Sequence, residues 1–563
     1  MDKRRPRFWL ATLGLTMVLV GALLAHFIQT SGGTQVRDVR FRGADGTVMS
    51  ALLYVPEGAT PQARAPGILA VHGYINSRET QDGFAIEFAR RGYVVLALDQ
   101  TGHGYSGGKA FANGFGGPDG LAYLRALPMV DPAQIGLEGH SMGGWTVLAA
   151  AAAMPDAYRS MVLVGSSTGA PFAKDGTPFW PRNLALIFSR YDEFSQLMWG
   201  TAKAADVGQG AKLRAVFGTP APVVPGQLYG SIADGTARYL TQPATTHPGD
   251  HFSNVAIGEA TDWFARTLIG GRPLSASDQI WFWKEVGTGI ALFGFLPLVL
   301  GLFDLLIALP PFASMRGAAR AAMPVRNGRW WRSATLAAAL PMLTFFPIFI
   351  AVTLLVPPTW FLPQTVTTQI AAWALVGAGL SLWLARGEAT ITFRSDWGRT
   401  IAAASLAVLA GYAVLALVQS ILVADPRLWV VAIKPPSLRQ WGIALIYVVP
   451  ITLAFVATGR VLASLTVQND SKGQAYLSAM LTLSGGFIVL LAVLYGVLLA
   501  TGTLLTAFDP LSTVIAIQFV PVLAGVGAVM TNTWRRTGDY RSGAILSGLL
   551  VTLYVVAGTA TQG

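Results

Sequence analysis

Apolar and polar residues follow two different rhythms along this chain of 563 residues. Between about 34 and 270, short apolar runs rich in Val, Ile, Leu and Ala alternate with amphipathic stretches and turn residues. That rhythm predicts a parallel sheet whose strands are separated by helices. Apolar strands are expected at 36–42 and 48–54, where they flank Gly43-Ala44-Asp45-Gly46 as a hairpin. Further strands follow at 67–72, 93–99, 161–165, 184–188 and 237–240, and another ends just before 141. Helices are expected at 82–91, 119–127, 145–154 and 255–268. Outside this region the apolar runs lengthen to about 20 residues, enough to cross a hydrocarbon core of about 30 Å. One lies at 8–28. Eight more follow at 288–309, 333–356, 369–386, 400–424, 441–462, 476–500, 511–530 and 543–559.

Composition agrees with this division. The whole chain is 53% apolar and only 12% charged, about half the charge of an average soluble domain. Residues 31–280 hold 19 Lys/Arg and 20 Asp/Glu, whereas residues 281–563 hold 17 and 8. Three parts are therefore expected: an anchor over 1–30, an α/β domain over 31–275, and a membrane domain of eight helices over 281–563. The net charge of +11 comes from short loops beside apolar spans. A nucleic-acid partner would instead leave a basic stripe on the folded domain.

Those loop charges orient the chain. Lys3, Arg4, Arg5 and Arg7 precede the first span. Arg316, Arg320, Arg326, Arg329 and Arg332 fall in one alternate loop, Arg394 and Arg399 in the next, then Lys472, then Arg535, Arg536 and Arg541. The opposite loops hold no basic residue, apart from Arg427, Lys434 and Arg439 in 425–440. Basic loops stay in the cytoplasm. The expectation is a multi-pass protein of the cell (inner) membrane, with a cytoplasmic N-terminus and the α/β domain outside. Segment 425–440 reads as an interfacial amphipathic stretch or a plain loop, and Trp281-Phe282-Trp283 as an interface cluster. Asp304 is the clearest charge inside a span; it reads as a functional-site candidate or as the partner of an interfacial basic residue, the latter favoured. Cysteine is absent, which excludes disulfides and thiolate metal sites.

The chemistry concentrates in Ile135-Gly136-Leu137-Glu138-Gly139-His140-Ser141-Met142-Gly143-Gly144. A G-x-S-x-G alone is weak in a chain with 62 glycines. Here an apolar strand precedes it and an apolar helix follows. That context forces the serine into a tight bend with its hydroxyl exposed above the sheet.

Four motifs together resemble the α/β-hydrolase superfamily, nearest its dienelactone-hydrolase and prolyl-oligopeptidase-like branches. They are Val71-His72-Gly73-Tyr74, Asp99-Gln100-Thr101-Gly102-His103-Gly104-Tyr105-Ser106, Val130-Asp131-Pro132-Ala133-Gln134-Ile135-Gly136-Leu137 and the Ser141 bend. The resemblance covers about 34–270 and implies an α/β-hydrolase fold joined to an all-α transmembrane helix bundle, which itself resembles no family. It implies Ser141 as nucleophile, an acid after the strand at 184–188, and a later histidine. Asp192 fits the acid, with Glu193 in reserve. His247 fits the histidine, with His251 as the alternative. The backbone N–H groups of Tyr74 and Met142 are the implied oxyanion donors. Asp99 and His103 read as structural. No cofactor or metal is implied, and His247 and His251 in one loop are weak evidence for zinc.

The expected activity is hydrolysis of a carboxylic ester through an acyl-enzyme, with the lipid bilayer as partner and a lipid or lipid-linked ester as a plausible substrate. An acyltransferase using the same three residues, or a transporter or channel with a regulatory hydrolase-like domain, are the alternatives. Fewer than twenty residues separate the strands at 161–165 and 184–188, so an open site is expected. It would be roofed by the membrane or by 195–230, where Leu197, Met198, Trp199 and Phe217 read either as the lining of an acyl pocket or as core, with core favoured. Oligomeric state is not legible.

Overall fold

The computed structural model describes residues 8–319, 321–384 and 396–563. Residues 1–7, Arg320 and Arg394 lie outside them, as does the end of the span expected at 369–386.

After helix α1 (Phe8–Gln29), a nine-stranded sheet forms from β1 (Gln35–Arg42), β2 (Val48–Val55), β3 (Ala65–Val71), β4 (Val94–Asp99), β5 (Val130–His140), β6 (Ser160–Val164), β7 (Leu184–Ile187), β8 (Leu228–Tyr229) and β9 (Arg238–Thr241). Their order is β1-β2-β4-β3-β5-β6-β7-β9-β8. The six strands from β4 to β9 run parallel, and the two leading strands and β8 are antiparallel. Interleaved helices are α2 (Asp82–Arg90), α3 (Gly117–Ala126), α4 (Met142–Ala153), α5 (Ser195–Trp199), α6 (Ala211–Phe217) and α7 (Asn254–Thr267).

Strand periodicity explains how both faces are covered. Leu69 and Val71 of β3 face one side, where Leu121 and Leu124 of α3 and Val147 and Leu148 of α4 pack. Ile68 and Ala70 face the other, under Phe84 and Phe88 of α2 and Trp263 and Phe264 of α7. Continuous apolar strands buried on both faces are what a parallel sheet requires. β8, too short to leave an apolar signal, is an addition to the expected strands.

Helices α8 (Trp281–Leu306), α9 (Gly328–Leu355), α10 (Thr365–Leu384), α11 (Trp397–Leu422), α12 (Leu438–Ser464), α13 (Lys472–Thr501), α14 (Pro510–Thr537) and α15 (Tyr540–Gly558) form the second unit. Among the described residues, nine helices, these eight and α1, are long and apolar enough to cross a membrane. α1 packs along α8 through glycines seven residues apart, Gly14 and Gly21 against Gly287, Gly294 and Gly301. A Cβ at Gly21 would stand 2.4 Å from Gly287 O, and one at Gly301 2.3 Å from Ala11 N. Such seams let backbones approach where lipid offers no hydrophobic drive to associate. Asp304 is buried and accepts a hydrogen bond from Arg536 Nε.

Three expectations about the junction of the two units are corrected. Trp281 is not an interface residue: it is 2% exposed, belongs to the apolar layer under α2 and α7, and donates to Asn254 Oδ1 at 3.0 Å. Phe282 and Trp283 remain exposed. Segment 425–440 is neither an interfacial helix nor a plain loop. It folds as a hairpin of β10 (Arg427–Leu428) and β11 (Val431–Ala432) seated on the sheet unit. Lys434 Nζ lies 2.9 and 2.8 Å from the Glu79 carboxylate oxygens. Arg427 forks onto Asp425 at 2.9 and 2.7 Å, and Trp429 Nε1 donates to Pro248 O at 2.7 Å. Two of the three basic residues that broke the loop-charge pattern, Arg427 and Lys434, are buried ion-pair partners, whereas Arg439 is exposed and donates to Gly108 O.

Candidate active site

β5 ends at His140 and α4 begins at Met142, so Ser141 alone makes the turn, with φ 54° and ψ −122°. A non-glycine residue at positive φ is strained and persists only when its surroundings hold it there. Here Ser141 N donates to Val164 O at 2.8 Å. The neighbouring glycines allow the bend by close approach. A Cβ at Gly143 would stand 2.0 Å from Val71 O, and one at Gly139 2.3 Å from Gly143 O. β3 ends beside this turn, and a Cβ at Gly73 would lie 3.1 Å from Ser141 Cβ. Among the described residues, neither Tyr74 N–H nor Met142 N–H donates a hydrogen bond, so both amides stay available beside the serine.

The acid and the imidazole come from the loops after β7 and β9. His247 Nδ1 lies 2.8 Å from Asp192 Oδ2, and Phe194 N donates to Asp192 Oδ1 at 2.7 Å. The Phe194 ring packs on the His247 ring with centroids 4.4 Å apart. Glu193 does not face the ring. Its carboxylate accepts the His247 backbone N–H at 2.7 Å and, at the other oxygen, the Tyr495 hydroxyl of α13 at 2.7 Å. Burial opposes the charge on His247, but the Asp192 carboxylate outweighs it, then Glu193 and Asp250, so its pKa rises above the ordinary value. Burial and then the Asp192 charge push Glu193 up to about 7.

His251 sits away from Asp192, its ring 4.1 Å from the His140 ring and edge-on to Phe84. Burial, then the His247 and Arg427 charges, push it down to about 3, so it stays neutral. Asp250 accepts from Ser189 Oγ, and burial, then the Asp192 charge, raises it well above the carboxylate range. Asp99 accepts from Ser50 Oγ and from the Arg78 and Tyr105 amides, which ties down the loop after β4. His103 contacts Thr101 O in that loop. Among the described residues, no group of three or more His, Asp or Glu is arranged to hold a metal ion.

Ser141, His247, Tyr74 and Met142 line one cleft of about 290 Å³. Its wall is aromatic: Phe111 stacks on Phe172 at 5.7 Å, and Trp145 packs on Phe172 at 5.0 Å. Leu197 and Met198 line it too, so these two are not simply core, whereas Trp199 and Phe217 are buried in the apolar layer. On the side of the helical unit the cleft is walled by protein. Trp429 and Val430 of the hairpin and Leu511, Val514 and Gln518 of α14 complete the cleft. Sequence reasoning missed these five and Tyr495. No local motif marks them, and Trp429 in a basic loop was the one available hint.

Residues 62–192 match the model of the hydrolase family described as serine aminopeptidase, S33. The sheet order and the strand–Ser141–helix turn above are those of the same fold. The domain has the α/β-hydrolase fold. A monoacylglycerol lipase of Mycolicibacterium smegmatis is 34% identical over 122 residues, which cover 20% of this chain and 41% of that protein. Thiohydrolase aneE of Aspergillus aculeatus is 32% identical over 124 residues, covering 20% and 36%. The chain thus spans less than half the length of these curated relatives. Among solved structures, an esterase of Pyrococcus furiosus aligns at 20% identity and TM-score 0.30, over 41% of this chain and 93% of its own. The domain of α/β-hydrolase fold is joined to a set of helices of membrane-spanning length.

Proposed function

We propose that the protein is a membrane-embedded serine hydrolase of carboxylic esters, with Ser141, His247 and Asp192 as its catalytic residues. The reading rests above all on the 2.8 Å contact of His247 Nδ1 with Asp192, beside a cleft that holds Ser141 on its strained turn. In this reading 1–30 is the anchor, 31–275 the catalytic domain and 281–563 the membrane domain. Loop charges argue for catalysis outside the cytoplasm.

His247 Nε2 takes the proton of Ser141 Oγ as that oxygen bonds to the ester carbonyl carbon. Asp192 fixes the tautomer and stabilises the imidazolium. The carbonyl oxygen gains charge, which the Tyr74 and Met142 amides stabilise without reorganising; one such donor is worth about 10² to 10³ in rate. Collapse breaks the carbon–oxygen bond to the alcohol, which leaves with the proton from His247. Water then adds to the acyl-Ser141 carbonyl, giving its proton to His247. The carboxylic acid departs and Ser141 is restored. Names of similar proteins, a lipase and a thiohydrolase, support acyl-group hydrolysis. A site roofed by α14 supports a lipid-derived ester.

The test is Ser141→Ala in the full-length protein in nanodiscs. Hydrolysis of p-nitrophenyl butyrate and labelling by a fluorophosphonate should both be lost, with insertion unchanged. Retention of more than a few per cent of activity overturns the assignment.

A further inference from the structure

The helical unit holds a second cavity, of about 150 Å³, running among α10, α12, α14 and α15. Its lining on α10 is one stripe at helical spacing: Val366, Ile370, Trp373, Gly377 and Ser381. Fifteen residues at 1.5 Å each carry that stripe about 22 Å down the helix. The N-terminal end of α10 lies at the hydrolase domain. There Gln364 bonds the segment after α15, whose Gln562 reaches the Tyr74 hydroxyl at 3.3 Å. The cavity therefore starts beside the catalytic cleft and runs toward the opposite side of the bundle.

The two spaces adjoin. Ile75, Asn76, Thr80, Trp429, Val430 and Gln518 line both. Along α14 the transition can be followed: Leu511 and Val514 face the cleft, Gln518 both spaces, and Val522 and Leu523 the deeper cavity. Polarity changes along the same path. The interior is walled by Ile370, Trp373, Ile451, Phe455, Phe519 and Leu523, and polar groups gather at the junction. The cations there are neutralised, Arg427 by Asp425 and Lys434 by Glu79. The junction suits an uncharged ester group better than a phosphate.

We propose that this cavity is the acyl-chain site of the enzyme: a neutral long-chain ester binds with its acyl chain inside the helical bundle and its carbonyl at Ser141. This rests on the reading of Ser141 as nucleophile. A chain of carbon–carbon bonds of about 1.5 Å advances about 1.25 Å per methylene, so a hexadecanoyl chain spans about 20 Å, comparable to the stripe. The helical bundle thereby acquires a role: it holds a lipid tail next to Ser141.

Gly377 offers the test. It lines the cavity, and a Cβ added there meets no atom within 4 Å, so a side chain enters open space. A glycine replaced in a helix interior also gains helix propensity. Gly377→Phe and, on α12, Thr458→Phe should block the channel partway. Each methylene denied burial costs about fourfold, so losing three or more should exceed tenfold. The full-length variants in nanodiscs are assayed with p-nitrophenyl hexadecanoate, p-nitrophenyl butyrate and hexadecyl butyrate. Fluorophosphonate labelling of Ser141 reports a folded site. The expected result is a fall of at least tenfold in the hexadecanoate-to-butyrate ratio of kcat/KM, with no matching fall for hexadecyl butyrate relative to p-nitrophenyl butyrate. An unchanged ratio overturns the proposal. A fall confined to hexadecyl butyrate also overturns it, since the channel would then hold the alcohol. Failure of the nucleophile reading is separate: Ser141→Ala would keep its butyrate activity whatever the chain-length profile.

Discussion

Glu193→Gln isolates how helix α13 tunes His247, the base proposed above. Glu193 accepts from the His247 amide and from Tyr495 Oη, each at 2.7 Å. A glutamine can keep both contacts: its carbonyl accepts the His247 N–H, and its amide donates to the tyrosine oxygen. What is lost is charge. Glu193, pushed up to about 7 by burial and then Asp192, is about half ionised at neutral pH. Its carboxylate is one of the groups that hold His247 up against burial. A neighbouring charge within about 4–6 Å moves a pKa by about 1–3 units. Half a charge should be worth about 0.5–1.5 units. The acid limb of kcat/KM reports the base of the free enzyme. A base held up by fewer anions deprotonates at lower pH, so in Glu193→Gln the limb should move down by about 0.5–1.5 units, with the plateau reduced less than tenfold. Tyr495→Phe should move it the same way by less. The tyrosine hydroxyl holds Glu193 down, so its loss leaves Glu193 less ionised. The assay is p-nitrophenyl butyrate hydrolysis between pH 5 and 9. A limb that stays fixed or moves up in Glu193→Gln refutes the reasoning.

Three further outcomes are expected. His247→Ala should lower kcat by about 10⁴ or more, whereas His251→Ala, away from Asp192, should cost about tenfold or less; the reverse ranking would move the base by four residues. A tag at Gly58 should react with an impermeant reagent in intact cells and one at Gly328 should not; the opposite result would put the hydrolase domain in the cytoplasm. Glu79→Gln strips buried Lys434 and Arg427 of a counter-charge and should destabilise the docked hairpin by about 3 kcal/mol, read as a lower unfolding temperature in nanodiscs. Burial raises Glu79, but Lys434, Arg78 and Arg427 outweigh it and hold it well below 4.5. The stabilisation should therefore be complete above about pH 4.5 and fade only as pH falls through that depressed value; an unchanged Tm would contradict the pairing.

By itself, the sequence determined whatever depends on local chain chemistry. Alternating short apolar runs specify strands buried on both faces. Runs of about 20 apolar residues specify helices of membrane-spanning length. Glycines two residues to either side of Ser141 specify its bend, because only they tolerate Val71 O and Gly143 O so close. Gly287, Gly294 and Gly301 recur every seven residues, but only their packing against Gly14 and Gly21 of α1 shows what that spacing serves. Chain order alone left Asp192 and Glu193 open, and equally His247 and His251. Adjacent loop residues differ only in which way packing turns them, and that choice belongs to tertiary structure: Asp192 meets the imidazole while Glu193 turns to Tyr495, 302 residues away. The docking of Trp429, the α14 wall of the cleft and the cavity behind it were decided the same way. They arise where two units with separate sequence rhythms meet, and no period within either one encodes the residues that face across the junction.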